Sequence, residues 1–179
     1  MKKKTWTAVE AASSCGSRLT PGGYVLVIQE VEDNPSREQL TVTYDVAEGD
    51  SKGHYSDDFG LSNKWAHQTK VTYSDKAARF FKVFLDALEA SNPTFDTARW
   101  EQLCDEQQFV GLLVGCVFQE RLYTGRDGKD KTALRAYEFK PANDIRAGRF
   151  EVPDPMDDRT GGAPASTSAG DGVYTDIPF

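Results

Sequence analysis

A run of ten mostly apolar residues, 109–118, constrains the fold of this chain more than any other stretch. A helix that crosses a bilayer needs about 20 apolar residues, so this run is too short for that role. The β-branched residue valine recurs along it, which favours a strand. The run therefore predicts a strand that is buried on both faces or that crosses a closed barrel.

The polarity pattern changes directly after this run and predicts a hairpin. Residues 119–124 alternate polar and apolar, residues 125–131 form a charged turn, and residues 132–140 alternate again. The second strand is predicted to carry Ala133, Arg135, Tyr137 and Phe139 on one face, and Thr132, Leu134, Ala136, Glu138 and Lys140 on the other. An arginine and an aromatic on one face, beside a basic turn, suit a phosphate and a nucleobase. The alternative is a solvated hairpin with ordinary surface charge.

Charge is distributed unevenly along the chain, whose formal net charge is −7. Residues 121–149 hold eight Lys or Arg and four Asp or Glu, whereas residues 151–179 hold six acids and one arginine. A basic region within an acidic protein can attract a polyanion. The pattern is therefore compatible with a nucleic-acid-binding body followed by an acidic tail.

Three strand-like segments are predicted in the first half of the chain. Residues 24–31 and 39–46 are joined by a short polar loop, so they are expected to pair as a hairpin. Residues 64–74 are expected to be extended, and they mix aromatic and basic side chains. Two interpretations of Trp65 stay open, namely stacking on a base and half-burial in the core.

The clearest helix is predicted at residues 75–90, where apolar side chains recur on one broad face and Ser74 is the candidate N-cap. This helix is expected to cover the open end of a strand barrel. A second short helix is predicted at residues 96–107, with Asp96 as its cap and with Trp100 and Leu103 facing inward.

The chain is expected to leave its folded body after residue 152. Residues 143–150 predict a short helix or turn anchored by Ile145 and Phe150. Residues 153–179 are rich in proline, glycine, serine and acids, which predicts disorder. Their end, Ile177-Pro178-Phe179, is an apolar tip with a terminal carboxylate, suited to an apolar pocket ringed by basic side chains in a partner protein.

Several classes of protein are disfavoured. Residues 1–20 lack periodicity and are expected to form a loose arm, with no apolar segment of the kind a signal peptide carries. The three cysteines are odd in number and lack metal-ligand spacing, which favours a reduced, cytoplasmic setting. A metal site could be formed by His54, Asp57, Asp58 and His67, but their spacing matches no known metal-binding motif. The chain is therefore expected to have no catalytic residues, metal or cofactor.

Two resemblances sharpen these expectations. The end of the chain, Asp176-Ile177-Pro178-Phe179, resembles the C-terminal tip of bacterial single-stranded DNA-binding proteins, which docks replication and repair partners. Four parts of the body resemble a family of small phage-encoded single-stranded DNA-binding proteins of the oligonucleotide-binding (OB) barrel type. These parts are Pro21-Gly22-Gly23-Tyr24, residues 111–115, Tyr123, and residues 143–153, of which Ile145-Arg146-Ala147-Gly148-Arg149-Phe150-Glu151-Val152-Pro153 is the most distinctive part. Leu112 stands where that family often has a lysine.

The expected fold is mainly β with one or two helices (α+β). The resemblance implies an OB-like five-stranded barrel capped by a helix, with an N-terminal arm at 1–20, a domain at 21–152 and a disordered acidic tail at 153–179. It implies sequence-independent single-stranded DNA binding in phage replication or recombination, in the cytoplasm of the bacterial host. The tip would recruit a helicase, recombinase or nuclease.

The site residues follow from these expectations. The candidates for DNA binding are Lys64, Trp65, Lys70, Tyr73, Arg121, Tyr123, Arg126, Lys129, Lys131, Arg135 and Tyr137. The candidates for partner binding are Asp176, Ile177, Pro178 and Phe179. The alternative function is a non-catalytic OB-like adaptor that binds protein and no DNA. Both functions are compatible with a homo-oligomer.

Overall fold

A computed structural model describes residues 19–56 and 64–159, without the side chains of residues 64 and 65. Six strands form one sheet: β1 (Gly22–Asn34), β2 (Gln39–Val46), β3 (Gln68–Thr72), β4 (Leu113–Thr124), β5 (Asp130–Lys140) and β6 (Met156–Asp157). The α-helices are α1 (Ala78–Ser91), α2 (Thr97–Leu103) and α3 (Ala142–Arg146). Short 3-10 helices occur at Pro35–Arg37, Lys64–His67 and Glu106–Phe109.

The sheet has the strand order β3-β2-β1-β4-β5, and all of these neighbours are antiparallel. The short β6 adds to β4 in parallel. Helices α1 and α2 lie between β3 and β4 in sequence. This arrangement confirms the predicted α+β class and is consistent with an OB-like fold. The barrel is not closed, because no pairing joins β3 to β5 in the described part of the chain.

Helix α1 covers the core of the sheet with its apolar face. Phe84 and Leu88 are fully buried, and the Phe84 ring centroid lies 4.9 Å from that of Phe139 on β5. Burying a phenylalanine of this kind contributes about 1.5–3 kcal/mol. The helix ends at Ser91 and is followed by its C-cap residue, Asn92. The Asn92 amide nitrogen donates to the Leu113 carbonyl at 2.7 Å, and its amide oxygen accepts from the Leu113 N–H at 2.9 Å. Asn92 thus ties the end of α1 to the start of β4.

The segment that resembles the phage family is a packing element. Phe150 covers Gly23 so closely that a methyl group on this glycine would lie 2.6 Å from Cε1 of the ring. A methyl group on Gly115 would lie 2.6 Å from Cγ1 of Ile145. Ile145 and Phe150 therefore anchor the segment against β1 and β4, as predicted.

The helix boundaries differ from the prediction in two places. Helix α1 begins at Ala78, and its N-cap position is Ala77, which makes no side-chain cap hydrogen bond, so Ser74 is not the N-cap. Helix α2 has the predicted cap, since the Asp96 carboxylate accepts from the Arg99 N–H at 3.1 Å. It ends at Leu103, whose side chain is 60% exposed and not inward as predicted.

Two segments predicted as extended contain helical turns. Lys64–His67 form a 3-10 helix, and only Gln68–Thr72 are a strand. Phe109 ends another 3-10 helix, and Gly111 has φ = 85°, a left-handed conformation that glycine adopts readily. The long apolar run therefore turns before it enters the sheet, and β4 begins at Leu113.

The folded body extends further in both directions than the boundaries predicted at 21 and 152. Leu19 is 4% exposed and belongs to the main core. Met156 and Asp157, within the predicted tail, pair with Arg121 and Leu122 of β4. In the described residues, no helix is long and apolar enough to cross a membrane.

Candidate nucleic-acid interface

The β4–β5 hairpin projects past the end of β1. Pairing between β1 and β4 stops at Gly22 and Phe118, whereas β4 and β5 stay paired as far as Thr124 and Asp130. The projecting part carries Arg121, Tyr123 and Arg135 of the predicted site. The hairpin, a two-stranded ribbon, thus brings two arginines and one tyrosine together past the end of β1.

Two arginines concentrate positive charge on this ribbon. The Arg121 guanidinium carbon lies 5.9 Å from the Tyr123 ring centroid, within the range of a cation–π contact. Burial lowers the pKa of Arg135, and the positive charge of Arg121 lowers it further. Arginine stays protonated despite such shifts, so the pair presents two positive charges to an approaching anion.

An acidic segment lies across the same ribbon, and we call residues 154–159 the strap. Its backbone is held by hydrogen bonds from Gln119 Nε2 to the Asp154 carbonyl (2.6 Å) and from the Asp158 N–H to the Leu122 carbonyl (2.8 Å). The Asp158 carboxylate forms an ion pair with Arg121. The strap therefore places a negative charge on one of the predicted phosphate contacts.

Further contacts fix the strap to β5. Arg135 Nη1 lies 3.4 Å from the Met156 sulfur. Arg159 binds Asp157 at 2.6 Å and Asp130, the first residue of β5, at 3.3 Å. The hydrogen bonds from Arg159 lower the pKa of Asp157 to about 2. This strand could not be predicted from the sequence, because a two-residue strand among prolines and acids has the composition of a tail.

The turn of the hairpin and the start of β5 carry the three remaining basic candidates of this region. Arg126 and Lys129 are exposed. Lys131 lies 3.2 Å from the Asp127 carboxylate, and its hydrogen bond lowers the pKa of that carboxyl. An exposed pair of this kind is weak because solvent screens it, so a phosphate can replace the carboxylate at little cost.

A groove lies between the open edges of the sheet, and we call it the seam groove. Its walls are Thr69, Lys70, Val71 and Thr72 of β3 and Arg135, Ala136, Tyr137, Glu138 and Phe139 of β5. Its remaining lining comes from α1 and the turn before it, namely Ala77, Phe80 and Val83. The groove brings together three predicted site residues, Lys70, Arg135 and Tyr137, that are distant in sequence.

Tyr73 lies in a different environment from the other tyrosines of the predicted site. Its hydroxyl donates to the Asp33 carboxylate at 2.8 Å, and its ring packs at 5.9 Å from Phe81. Burial and this hydrogen bond raise its pKa to about 12. Tyr123 and Tyr137 are therefore better placed than Tyr73 to stack on a base.

Because of a β-bulge in the hairpin, the faces of β5 differ from those predicted. The register shifts between Val117 and Phe118, so that Glu138 pairs with Val117 and Ala136 pairs with Phe118. The extra residue, Tyr137, breaks the alternation. Phe139 therefore packs against the main core together with Leu134 and Ala136, not on the face of Arg135 and Tyr137 as predicted.

Other predicted residues lie outside the described part of the chain. This holds for the side chains of Lys64 and Trp65, and for the tip residues Asp176, Ile177, Pro178 and Phe179.

The hypothetical metal site is only partly visible. Asp57 and Asp58 are not described, and His54 and His67 both pack against Tyr55, at 4.7 and 4.8 Å between ring centroids. Within the described residues, no group of three or more His, Cys, Asp or Glu side chains is arranged to hold a metal ion.

No protein-family model matches the chain, and no curated protein is significantly similar to it in sequence.

Proposed function

We propose that the protein binds single-stranded DNA without sequence preference through the β4–β5 hairpin and the adjoining seam groove. One observation carries this proposal: Arg121, Tyr123 and Arg135 lie together on a ribbon that projects from the sheet. Lys70 and Tyr137 extend this surface into the groove. The OB-like strand order supports it, because such folds bind oligonucleotides on one face of the sheet and with adjoining loops.

The binding mode combines phosphate contacts with stacking. Arg121 and Arg135 hold the sugar-phosphate backbone, and the exposed turn residues Arg126 and Lys129 add weaker contacts. Tyr123 and Tyr137 stack on bases, each contributing about 1–3 kcal/mol. Because bound cations are released from the DNA, affinity falls as salt rises.

The wider role follows from the sequence resemblances. The protein would cover single-stranded DNA during phage replication or recombination, in the cytoplasm of a bacterial host. Residues 176–179 would recruit a helicase, recombinase or nuclease. Deleting residues 171–179 should then abolish recruitment and leave DNA affinity unchanged or raised, as measured by pull-down and titration in parallel.

Paired variants test the hairpin directly. Arg121→Gln/Arg135→Gln should weaken oligo-dT binding at least tenfold, at about 1.4 kcal/mol per factor of ten. Arg99→Gln is the control, because it removes one exposed arginine from α2, away from the hairpin. Equal binding by the double variant and the control would reject the hairpin as the site.

The stacking residues are tested separately. Tyr123→Ala/Tyr137→Ala should lose about 2–6 kcal/mol of binding free energy if both rings stack on bases. Unchanged oligo-dT affinity in this double variant would remove the stacking assignment for Tyr123 and Tyr137.

An adaptor that binds protein and no DNA is the second candidate. The ion pair between Asp158 and Arg121 favours it, because the strap already neutralises part of the ribbon. Failure to bind oligo-dT at low salt, both in the whole protein and after Asp158→Asn, would select the adaptor.

A further inference from the structure

Strand β6 holds the side chain of Met156 beside two of the proposed phosphate contacts. Strand β5 pairs with one edge of β4, so β6, which also pairs with β4, lies along its other edge. Arg135 of β5 nevertheless donates from Nη1 to the Met156 sulfur at 3.4 Å. The two side chains together therefore reach across β4 and connect the strap to the far strand of the hairpin.

Met156 is accessible to small reagents in the solvent. It is 38% exposed, and it belongs to neither of the apolar cores formed by the described residues. Exposure makes a methionine susceptible to oxidation. The backbone of the strap is held by hydrogen bonds that do not involve the Met156 side chain, made by the Asp154 carbonyl and the Asp158 N–H. A chemical change at the sulfur therefore leaves the cores and these backbone bonds in place.

The contact between Met156 and Arg135 is one that oxidation strengthens. A thioether sulfur is a weak hydrogen-bond acceptor, whereas oxidation to the sulfoxide adds a polar oxygen to it. The unbranched methionine side chain has three rotatable bonds, which let this oxygen turn toward the guanidinium. A hydrogen bond from a charged donor is stronger than one between neutral groups. The sulfoxide would thus bind Arg135 more strongly than the thioether does.

We propose that Met156 is a site of oxidation by peroxides and that its sulfoxide strengthens the attachment of the strap to the hairpin through Arg135. In this reaction the sulfur attacks one oxygen of hydrogen peroxide, the O–O bond breaks and an S–O bond forms. The sulfur loses two electrons and the peroxide gains them. The hydroxide that leaves takes up the proton of the transferred oxygen and becomes water. Methionine sulfoxide reductases reverse the change, with one enzyme for each sulfoxide epimer.

Oxidation of Met156 also lowers DNA affinity, and this consequence rests on the function proposed above. The sulfoxide occupies Arg135, and the attached strap keeps the Asp158 carboxylate on Arg121. Both arginines are proposed phosphate contacts. The oxidised protein should therefore bind oligo-dT less tightly, and enzymatic reduction should restore binding.

Peptide mass spectrometry tests the oxidation site. The chain has two methionines, Met1 and Met156, so both can be followed in one sample of the full chain treated with hydrogen peroxide. Met156 should gain one oxygen atom at peroxide doses that leave the protein folded, as judged by circular dichroism. If Met156 stays unmodified in the folded protein when Met1 is fully oxidised, the proposal is overturned.

Hydrogen–deuterium exchange tests the attachment of the strap without DNA. The Asp158 N–H, which is bonded to the Leu122 carbonyl, exchanges when the strap opens. After oxidation of Met156, the strap peptide should exchange about two- to tenfold more slowly, the range expected for one hydrogen bond. Unchanged or faster exchange would overturn the stronger attachment.

Three variants assign the effect to its atoms. Met156→Leu cannot form a sulfoxide, so peroxide should not slow its strap exchange; slowing in this variant would place the effect elsewhere, for example at the exposed Cys104, and contradict the proposal. Arg135→Leu removes the donor and should lose the slowing after oxidation of Met156. Arg126→Leu, on the turn of the same hairpin, is the matched control and should keep it. Equal slowing in the two arginine variants would contradict the role of Arg135.

Anisotropy titrations with oligo-dT separate this proposal from the proposed function. Slower strap exchange together with weaker DNA binding, both restored by the reductases, is the result expected. Slower exchange with unchanged DNA affinity would support the attachment of the strap and reject the hairpin as the DNA site. Unchanged exchange with weaker DNA binding would overturn the attachment while leaving the hairpin as the DNA site.

Discussion

Removing the negative charge of Asp158 should strengthen DNA binding. This carboxylate forms an ion pair with Arg121, with the two side chains 27% and 41% exposed. A partly exposed pair of this kind contributes about 0.2–1 kcal/mol, which a phosphate must replace. Asp158→Asn should therefore raise affinity for oligo-dT by about 1.4- to 5-fold. In this variant no carboxylate competes with phosphate for Arg121, so up to one more phosphate charge is neutralised on binding. The slope of log K against log salt should therefore steepen by up to about 0.7.

The assay is fluorescence anisotropy of labelled oligo-dT at several salt concentrations, with Asp154→Asn as the matched control. Asp154 lies in the same strap and loses the same charge, but its interaction with Gln119 uses its backbone carbonyl. A general change in net charge would strengthen binding equally in both variants. Equal affinities and salt slopes for Asp154→Asn and Asp158→Asn would refute direct competition between Asp158 and phosphate for Arg121.

Two further predictions concern the fold. Gly115→Ala should destabilise the protein by about 1–3 kcal/mol in urea denaturation, because its methyl group would overlap Ile145. The control is Gly22→Ala, which should have a small effect because the nearest atom to its methyl group would lie at 3.7 Å. Similar urea midpoints for the two variants would contradict this packing. Tyr73, whose pKa is raised to about 12, should contribute stability that is fully present below pH 10 and lost as pH rises toward 12. Asp33→Asn should shift the ultraviolet titration of Tyr73 to lower pH. An unchanged titration would argue against the hydrogen bond from the Tyr73 hydroxyl to the Asp33 carboxylate.

The features of the fold that depend on local pattern could be predicted from the sequence. The apolar face of α1, the Asp96 cap of α2 and the paired strands β1 and β2 each follow from periodicity or from a short-range preference. Ile145 and Phe150 stood out as anchors because they are apolar within a polar segment. Gly23 and Gly115, which lie against these two side chains, belong to the parts of the chain that resemble the phage family. Their role in packing is seen only in the structure.

The features that depend on distant contacts could not be predicted. The bulge at Tyr137 shifts Phe139 to the core face, and simple alternation has no means of placing it. The strap is stabilised by pairing with β4 and by the ion pair of Asp158, although its own composition is that of a tail. The seam groove combines residues from β3, α1 and β5. Lys70, Arg135 and Tyr137 can therefore be predicted as site residues one by one, but their proximity cannot.

The most direct test of the central claim is an anisotropy titration of labelled oligo-dT, about thirty nucleotides long, to span several site sizes. It is made at low and high salt and with an unlabelled duplex competitor. The account predicts tight binding at low salt that weakens as salt rises and that the duplex does not displace. No binding at low salt, or equal displacement by duplex, would contradict it.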